Sequence, residues 1–128
     1  MIPPFDVNGV LPPGVHPATL AEIDTRFGQF SEIRRAQMDS VRWMIDLARR
    51  ADVQRIVLNG SFVTNIIEPN DVDRVLLVRP SPRRGRLAMR QLRQGLPFLS
   101  IALLSQSRFD ELVRFFETDR QGLGYRKS

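Results

Sequence analysis

The stretch Leu58-Asn59-Gly60-Ser61, separated by nine residues from Asp71-Val72-Asp73, decides the fold. Residues 55–58 predict a short strand, whose apolar run Ile56-Val57-Leu58 indicates burial on both faces. Residues 72–78 predict a second strand, with a turn at residues 68–70 before it. Because alternate residues of a strand point to the same face, Asp71 and Asp73 are expected to project together, close to the bend at Gly60.

These residue types together indicate phosphate and metal chemistry. Two carboxylates on one face repel each other unless a cation lies between them, and Mg²⁺ is bound by oxygen ligands that leave positions open for substrate phosphates. Gly60 lets the backbone approach a phosphate closely, and Ser61 offers a hydroxyl and an amide at the start of the next turn. Thr64 either contacts phosphate as well or caps the segment after Ser61. We therefore predict Asp71 and Asp73 as catalytic and metal-binding residues, and Gly60, Ser61 and Thr64 as nucleotide- and phosphate-binding residues.

Working outward, prolines and turn dipeptides predict that residues 1–16 form an extended arm. A helix is expected from Pro17 to Gly28, and a longer one from an N-cap at Ser31 to about Ala51. In the longer helix an apolar stripe faces the core, and the arginines occupy the other positions: Arg34, Arg35, Arg42, Arg49 and Arg50. His16, the single histidine, is expected to form a structural hydrogen bond within the arm.

The second half of the chain predicts a helix over residues 86–93, a third strand over 97–104 and a last helix over 108–117 that is capped by Ser107. Residues 118–128 are expected to form a polar tail. The prediction is one α/β (α+β) domain over residues 1–128, in which helices flank a small mixed sheet.

The amino-acid composition limits the classes of function that the protein can have. The chain of 128 residues is 42% hydrophobic and 26% charged, typical of one globular domain. It contains no cysteine, which excludes disulfides and thiol catalysis and fits a cytoplasmic protein. No apolar run reaches the roughly 20 residues that cross a bilayer, so no membrane association is expected. The net charge of +5 comes almost wholly from arginine.

The central segment resembles the nucleotidyltransferase superfamily pattern of Gly-Ser followed by Asp-hydrophobic-Asp. More narrowly, the chain is similar to an uncharacterised bacterial family of nucleotidyltransferase-like proteins, DUF6932. Three patches carry this likeness over nearly the whole chain: residues 2–28 with Gly9, Pro12-Pro13-Gly14 and His16; Gly60-Ser61-Phe62-Val63-Thr64 with Pro69, Asp71 and Asp73; and Phe115-Phe116 with Thr118-Asp119-Arg120 and Gly122. The resemblance implies a mixed sheet flanked by helices, Mg²⁺ on the carboxylates and a nucleoside triphosphate as donor, but no particular acceptor.

Two features depart from the superfamily pattern. Active nucleotidyltransferases usually carry a third carboxylate on a later strand, where it completes metal binding or acts as the base. The corresponding strand, residues 97–104, contains no acid. Arg74 also stands where the pattern prefers an apolar residue, so its side chain must reach an edge, an acid or a phosphate. Both departures bear on catalysis and leave the fold prediction intact.

Three functions therefore remain open. The first is metal-dependent nucleotidyl transfer from a nucleoside triphosphate. The second is a binding module with weak or no activity, an antitoxin-like partner in a toxin–antitoxin pair, because small proteins of this fold often occur in such pairs. The third is nucleic-acid binding by the arginine cluster, whose members are Arg79, Arg83, Arg84, Arg86, Arg90 and Arg93. No aromatic residue interleaves with these arginines, so base stacking there has no support.

Overall fold

A computed structural model describes residues 2–53, 55–69, 73–78, 86–119 and 121–125, with the backbone alone for 73–78 and 118–119. Four α-helices are present in these ranges: α1 (Leu20–Phe27), α2 (Glu32–Arg50), α3 (Arg86–Gln94) and α4 (Gln106–Asp119). Five strands accompany them: β1 (Gly14–Ala18), β2 (Ile56–Asn59), β3 (Asp73–Val78), β4 (Leu99–Leu104) and β5 (Gln121–Tyr125). A single 3₁₀ turn covers Ser61–Val63.

The strands form one mixed sheet in the order β1-β5-β2-β3-β4. β1 pairs parallel with β5, and β3 pairs parallel with β4, whereas β2 is antiparallel to both of its neighbours. A parallel pair needs a crossover connection, and α3 provides it between β3 and β4. This topology places the end of β2 beside the start of β3.

Helices cover both faces of the sheet. Because side chains alternate along a strand, β2 contributes to an apolar cluster on each face. Ile56 and Leu58 belong to the larger cluster, which includes buried side chains of α1, α2 and α3. Val57 belongs to the smaller cluster, where it packs with Phe109 and Phe116 of α4. The predicted fold class, a small mixed sheet flanked by helices, is confirmed.

The first part of the chain differs from the prediction. Of the predicted arm, residues 2–13 lack regular structure, whereas Gly14–Ala18 form an edge strand of the sheet. Pro17 is tolerated there because an edge strand needs hydrogen bonds on one side only. The first helix therefore begins at Leu20 and not near Pro17. His16 forms the expected structural hydrogen bond, at 2.7 Å, with the Pro12 carbonyl oxygen.

The last part also differs. Gln121–Tyr125 were expected within a polar tail, but they form β5, which lies between β1 and β2. Leu123 of this strand is fully buried. The helix α4 begins at Gln106, and its first turn is capped by Ser105, whose hydroxyl accepts a hydrogen bond from the Arg108 amide at 3.3 Å. Ser107, the predicted cap, lies within this helix.

A capping box fixes the start of α1. The Thr19 hydroxyl accepts from the Glu22 amide at 3.2 Å, and the Glu22 carboxylate accepts from the Thr19 amide at 3.1 Å. We expect Thr19→Ala to lower the free energy of unfolding by about 1 kcal/mol, measured by urea denaturation. Thr25→Ala, an exposed position in the same helix, is the control and should cause no loss. Equal stabilities of the two variants would contradict this role for the cap.

Candidate functional site

Gly60 makes the bend that ends β2. Its φ of 101° and ψ of −168° lie in a region that glycine adopts and side-chain-bearing residues avoid. The 3₁₀ turn follows at once, with the Val63 amide donating to the Gly60 carbonyl at 3.2 Å. We call residues 60–64 the Gly60 turn. The bend therefore needs glycine for its backbone conformation.

The hydroxyl of Thr64 closes the Gly60 turn. It donates to the Ser61 carbonyl oxygen at 2.6 Å and accepts from the Ile66 amide at 3.3 Å. The Thr64 amide donates to the same Ser61 carbonyl at 3.2 Å. The structure thus shows that Thr64 caps the segment after Ser61. Its contact with phosphate remains a prediction.

The register of the sheet brings Asp73 to the Gly60 turn. Asn59, the residue before Gly60, pairs with both Asp73 and Arg74, because a bulge shifts the register at that point. On its other side, Asp73 pairs with Leu99 of β4. Asp71 lies outside the described residues, and for Asp73 and Arg74 only the backbone is described. We call β3 the acidic strand, because it begins at Asp73. The backbone pairing therefore places the start of the acidic strand beside the Gly60 turn.

The strand expected to carry a third carboxylate is present beside β3. β4 runs parallel to β3, and its residues Leu99–Leu104 include no acid. Within the described residues, no group of three or more His, Cys, Asp or Glu side chains is placed to hold a metal ion. The described strand β4 thus supplies no carboxylate beside β3.

Asn59 is a site residue that the sequence analysis missed. Its amide oxygen Oδ1 is buried, and it has no hydrogen-bond partner among the described residues. A buried acceptor of this kind needs a donor, a water or a cation. Asn59 pairs with Asp73 in the backbone register, so the residue that carries the unsatisfied oxygen lies at the junction of the Gly60 turn and β3. The sequence feature that could have indicated Asn59 is its position directly before Gly60.

Three polar side chains, one at the N-cap of α2 and two within this helix, hold the segment that joins the Gly60 turn to β3. Ser31, Arg34 and Gln37 are spaced three residues apart and lie along one helix face; we call them the α2 polar row. The Ser31 hydroxyl donates to the Ile67 carbonyl, and Gln37 Nε2 donates to the Pro69 carbonyl, both at 2.7 Å. These two bonds join residues that are 36 and 32 positions apart in the chain.

Arg34 is the centre of this row and is 2% exposed. Its guanidinium donates five hydrogen bonds to four backbone carbonyls, at 3.0 Å to Phe27, 2.8 Å to Phe62, 2.7 Å to Thr64 and 2.9 Å from Nε to Ile66, which also accepts from Nη2. Burial lowers the pKa of Arg34 from its ordinary value, because water no longer solvates the charge. Hydrogen bonds to the carbonyl groups replace the lost solvation of the guanidinium. The same hydrogen bonds fix residues 62–66.

The prediction that Arg34 lies on the polar face of α2 is wrong. The buried positions Met38, Val41, Ile45 and Ala48 follow Arg34 at intervals of four and three residues. By this spacing Arg34 belongs to the apolar stripe, whatever its charge. Arg35, the next residue, is exposed as expected. The spacing of Arg34 from the apolar residues that follow it could therefore have indicated its burial from the sequence.

The predicted arginine cluster is described only in part. Arg79, Arg83 and Arg84 lie outside the described residues. Arg86, Arg90 and Arg93 are exposed on α3, where intervals of four and three residues align them on one face. Nucleic-acid binding by this cluster therefore stays a prediction.

The fold and the site define an α+β domain in which a glycine bend meets the start of an acidic strand in a mixed five-stranded sheet. Residues 3–124 match the model of a family of unknown function, DUF6932, and the chain belongs to this family. No curated protein and no solved structure gave a match. Across the described ranges, none of the helices combines the length and the apolar character that crossing a membrane requires.

Proposed function

We propose that this protein binds a nucleoside triphosphate with Mg²⁺ at the Gly60 turn and transfers its nucleotidyl group to an acceptor. The observation that carries the proposal is the pairing of Asn59 with Asp73, which joins the glycine bend to the acidic strand. In this proposal the turn contacts the phosphates and the strand binds the metal. The nucleotidyltransferase resemblance of the Gly-Ser and Asp-x-Asp motifs supports the same assignment.

The residue types proposed for the metal site suit a hard divalent cation. Asp71 and Asp73 would supply carboxylate oxygens, and Asn59 Oδ1 is a buried oxygen that has no partner among the described residues. Carboxylate and amide oxygens are the protein ligands that Mg²⁺ and Ca²⁺ accept. When bound, Mg²⁺ neutralises triphosphate charge and orients the reacting phosphate.

The backbone of the Gly60 turn suits contact with phosphate. Gly60 has no side chain to keep a ligand away from the chain, and the Ser61 amide and hydroxyl follow directly. Arg34 and Thr64 hold the turn through its own carbonyl groups. Because these contacts are made within the protein itself, they order the turn independently of the triphosphate.

Nucleotidyl transfer forms a bond from an acceptor oxygen to the α-phosphorus and breaks the bond to the β-phosphate oxygen. Pyrophosphate leaves, and the acceptor loses a proton. A carboxylate on β4 would be the usual base, and that strand contains none. We therefore expect slow transfer and assign no base.

Calorimetry tests this proposal. ATP and GTP are titrated into the protein with Mg²⁺ and again with EDTA in its place. We expect a saturable heat with Mg²⁺ and a much weaker one with EDTA, since the metal joins the carboxylates to the phosphates. The absence of triphosphate binding in the presence of Mg²⁺ would overturn the proposal.

A second candidate function is favoured by the acid-free strand β4. In this alternative the protein is a catalytically inactive binding module, the antitoxin-like member of a toxin–antitoxin pair. It predicts that Asp73→Asn keeps the biological function and that the product of a neighbouring gene co-purifies. Transfer of label from an α-labelled triphosphate to an acceptor would contradict it, and so would a lone monomer without a neighbouring partner gene.

A further inference from the structure

A cavity of about 240 Å³ lies between the N-terminal arm, the end of α1 and the segment after the Gly60 turn. We call it the Phe30 pocket; Phe5, Arg26 and Phe30 line it together with Arg34, Thr64, Asn65 and Ile67. Sites for drug-sized ligands have volumes of roughly 300–1,000 Å³. A cavity of this size suits one planar ring system and not a whole nucleotide.

The pocket presents aromatic and apolar surface to solvent. Phe30 is 70% exposed and Ile67 is 67% exposed, although both are large apolar side chains. Phe5 is half-buried, and the guanidinium of Arg26 lies 4.3 Å from the centroid of its ring. A ligand ring that covers Phe30 and Ile67 would remove this apolar surface from water.

The pocket adjoins the Gly60 turn through Thr64. This residue lines the cavity, and its hydroxyl lies 2.6 Å from the Ser61 carbonyl oxygen. A ligand that places phosphates at Gly60 and Ser61 therefore has the Phe30 pocket beside it. Arg26 adds a positive charge at the wall of this pocket, which favours a ligand that carries phosphates next to its ring.

Internal hydrogen bonds hold two walls of the pocket in place. Arg34 donates to the carbonyls of Thr64 and Ile66, which fixes one wall. The arm is joined to this wall by a 3.0 Å hydrogen bond from the Asn65 amide to the Gly9 carbonyl. Gly9 has a φ of +77°, and a Cβ there would lie 2.2 Å from the Asn65 side chain, so glycine permits this close approach.

We propose that the Phe30 pocket binds the nucleobase of the triphosphate, with the base stacked on the Phe30 ring. This inference rests on the proposed function, because the Gly60 turn would hold the phosphates of the same molecule. Every base has a π-face, so stacking on an exposed phenylalanine is compatible with any of them. Because of the pocket, a nucleoside triphosphate should bind more tightly than a triphosphate group that carries no base.

The test compares ATP with inorganic tripolyphosphate, both with Mg²⁺, by calorimetry. ATP should bind more tightly than tripolyphosphate to the unmodified protein. Phe30→Ala should weaken ATP binding by about 5- to 150-fold, the range that corresponds to loss of one base–aromatic stack, and leave tripolyphosphate binding unchanged. Phe30→Leu keeps apolar volume without a ring and should weaken ATP binding as well. Trp43→Ala, which removes an exposed aromatic outside the pocket, should have no effect.

A second measurement separates this inference from the proposed function. The four ribonucleosides, without phosphate or metal, are titrated into the labelled protein, and the amide resonances of Phe30 and Ile67 are followed by NMR. Shifts at these residues support the pocket even if Mg²⁺–ATP does not bind. The inference is overturned if no ribonucleoside shifts them, or if tripolyphosphate binds as tightly as ATP. Tripolyphosphate binding with Mg²⁺ would in that case still support the proposed function.

Discussion

Asp73→Asn is expected to abolish Mg²⁺-dependent nucleotide binding while the fold is retained. The substitution removes one negative charge from the predicted metal site at the position that pairs with Asn59. Loss of a residue that merely supports a metal ligand costs about 10- to 100-fold in affinity, so loss of a direct ligand should cost more than about 100-fold. Calorimetry with ATP and Mg²⁺ measures the change, and Asp71→Asn should behave in the same way.

A matched control separates the metal site from the total charge of the protein. Asp39 is exposed on α2, and Asp39→Asn changes the net charge by the same amount. This variant should bind Mg²⁺–ATP as the unmodified protein does, and all three variants should melt at similar temperatures. Wild-type affinity of Asp73→Asn would show that the carboxylate has no part in binding.

The largest effect on stability is expected from Arg34→Met. The substitution keeps a long side chain in the core but leaves the carbonyls of Phe27, Phe62, Thr64 and Ile66 without their donor. A buried polar group that loses its partner costs about 1–3 kcal/mol. Because some of these carbonyls reach water once the loop moves, we expect a total loss of at least about 3 kcal/mol, measured by urea unfolding.

Arg35→Met is the control for Arg34→Met. Arg35 is the next residue of α2, is exposed, and donates one hydrogen bond, at 2.9 Å, to the Gln29 carbonyl. Its substitution should change the free energy of unfolding by less than about 1 kcal/mol. Arg34→Lys should be destabilised as well, because an ammonium group cannot reproduce the planar five-donor arrangement of a guanidinium. If Arg34→Met is as stable as Arg35→Met, Arg34 does not hold the loop.

The elements with strong local patterns could be predicted from the sequence. The stripe of α2 repeats at intervals of three and four residues over five turns, and Ser31 gives it a cap whose hydroxyl accepts from the Arg34 amide at 3.2 Å. The uninterrupted apolar run of β2 indicated a strand that is buried on both faces, and its three apolar residues are buried. In both cases the pattern lies within a single element.

The strand β5 could not be predicted because its partners are distant in sequence. Residues 121–125 contain two glycines, a pattern that favours a loop over a strand. In the structure, a Cβ at Gly122 would lie 2.8 Å from the Phe116 ring and 3.0 Å from Val57, so glycine allows α4 to pack closely on the sheet. This requirement arises from tertiary packing and leaves no periodic signal. β1 shares the difficulty, because β5 is its only neighbour in the described sheet.

The backbone meeting of β2 and β3 could be predicted from the sequence, but the contacts that support it could not. Gly60 and the start of β3 are brought together as the spacing of the two motifs indicated, since β2 and β3 form an antiparallel pair, while the roles of Gly60, Ser61, Asp71 and Asp73 stay predictions. The α2 polar row escaped prediction because its acceptors are backbone carbonyls about 30 residues away, and every residue type has a carbonyl. The partners of Arg34 therefore cannot be recognised from residue identity alone.

The central claim is that one ligand joins the Gly60 turn to the acidic strand. A crystal structure of the protein with Mg²⁺ and a non-hydrolysable ATP analogue tests this claim most directly. We predict the metal on carboxylate oxygens of Asp71 and Asp73 and the phosphates against Gly60 and Ser61. A metal and nucleotide bound away from these four residues, or acidic side chains that point away from the turn, would contradict the account.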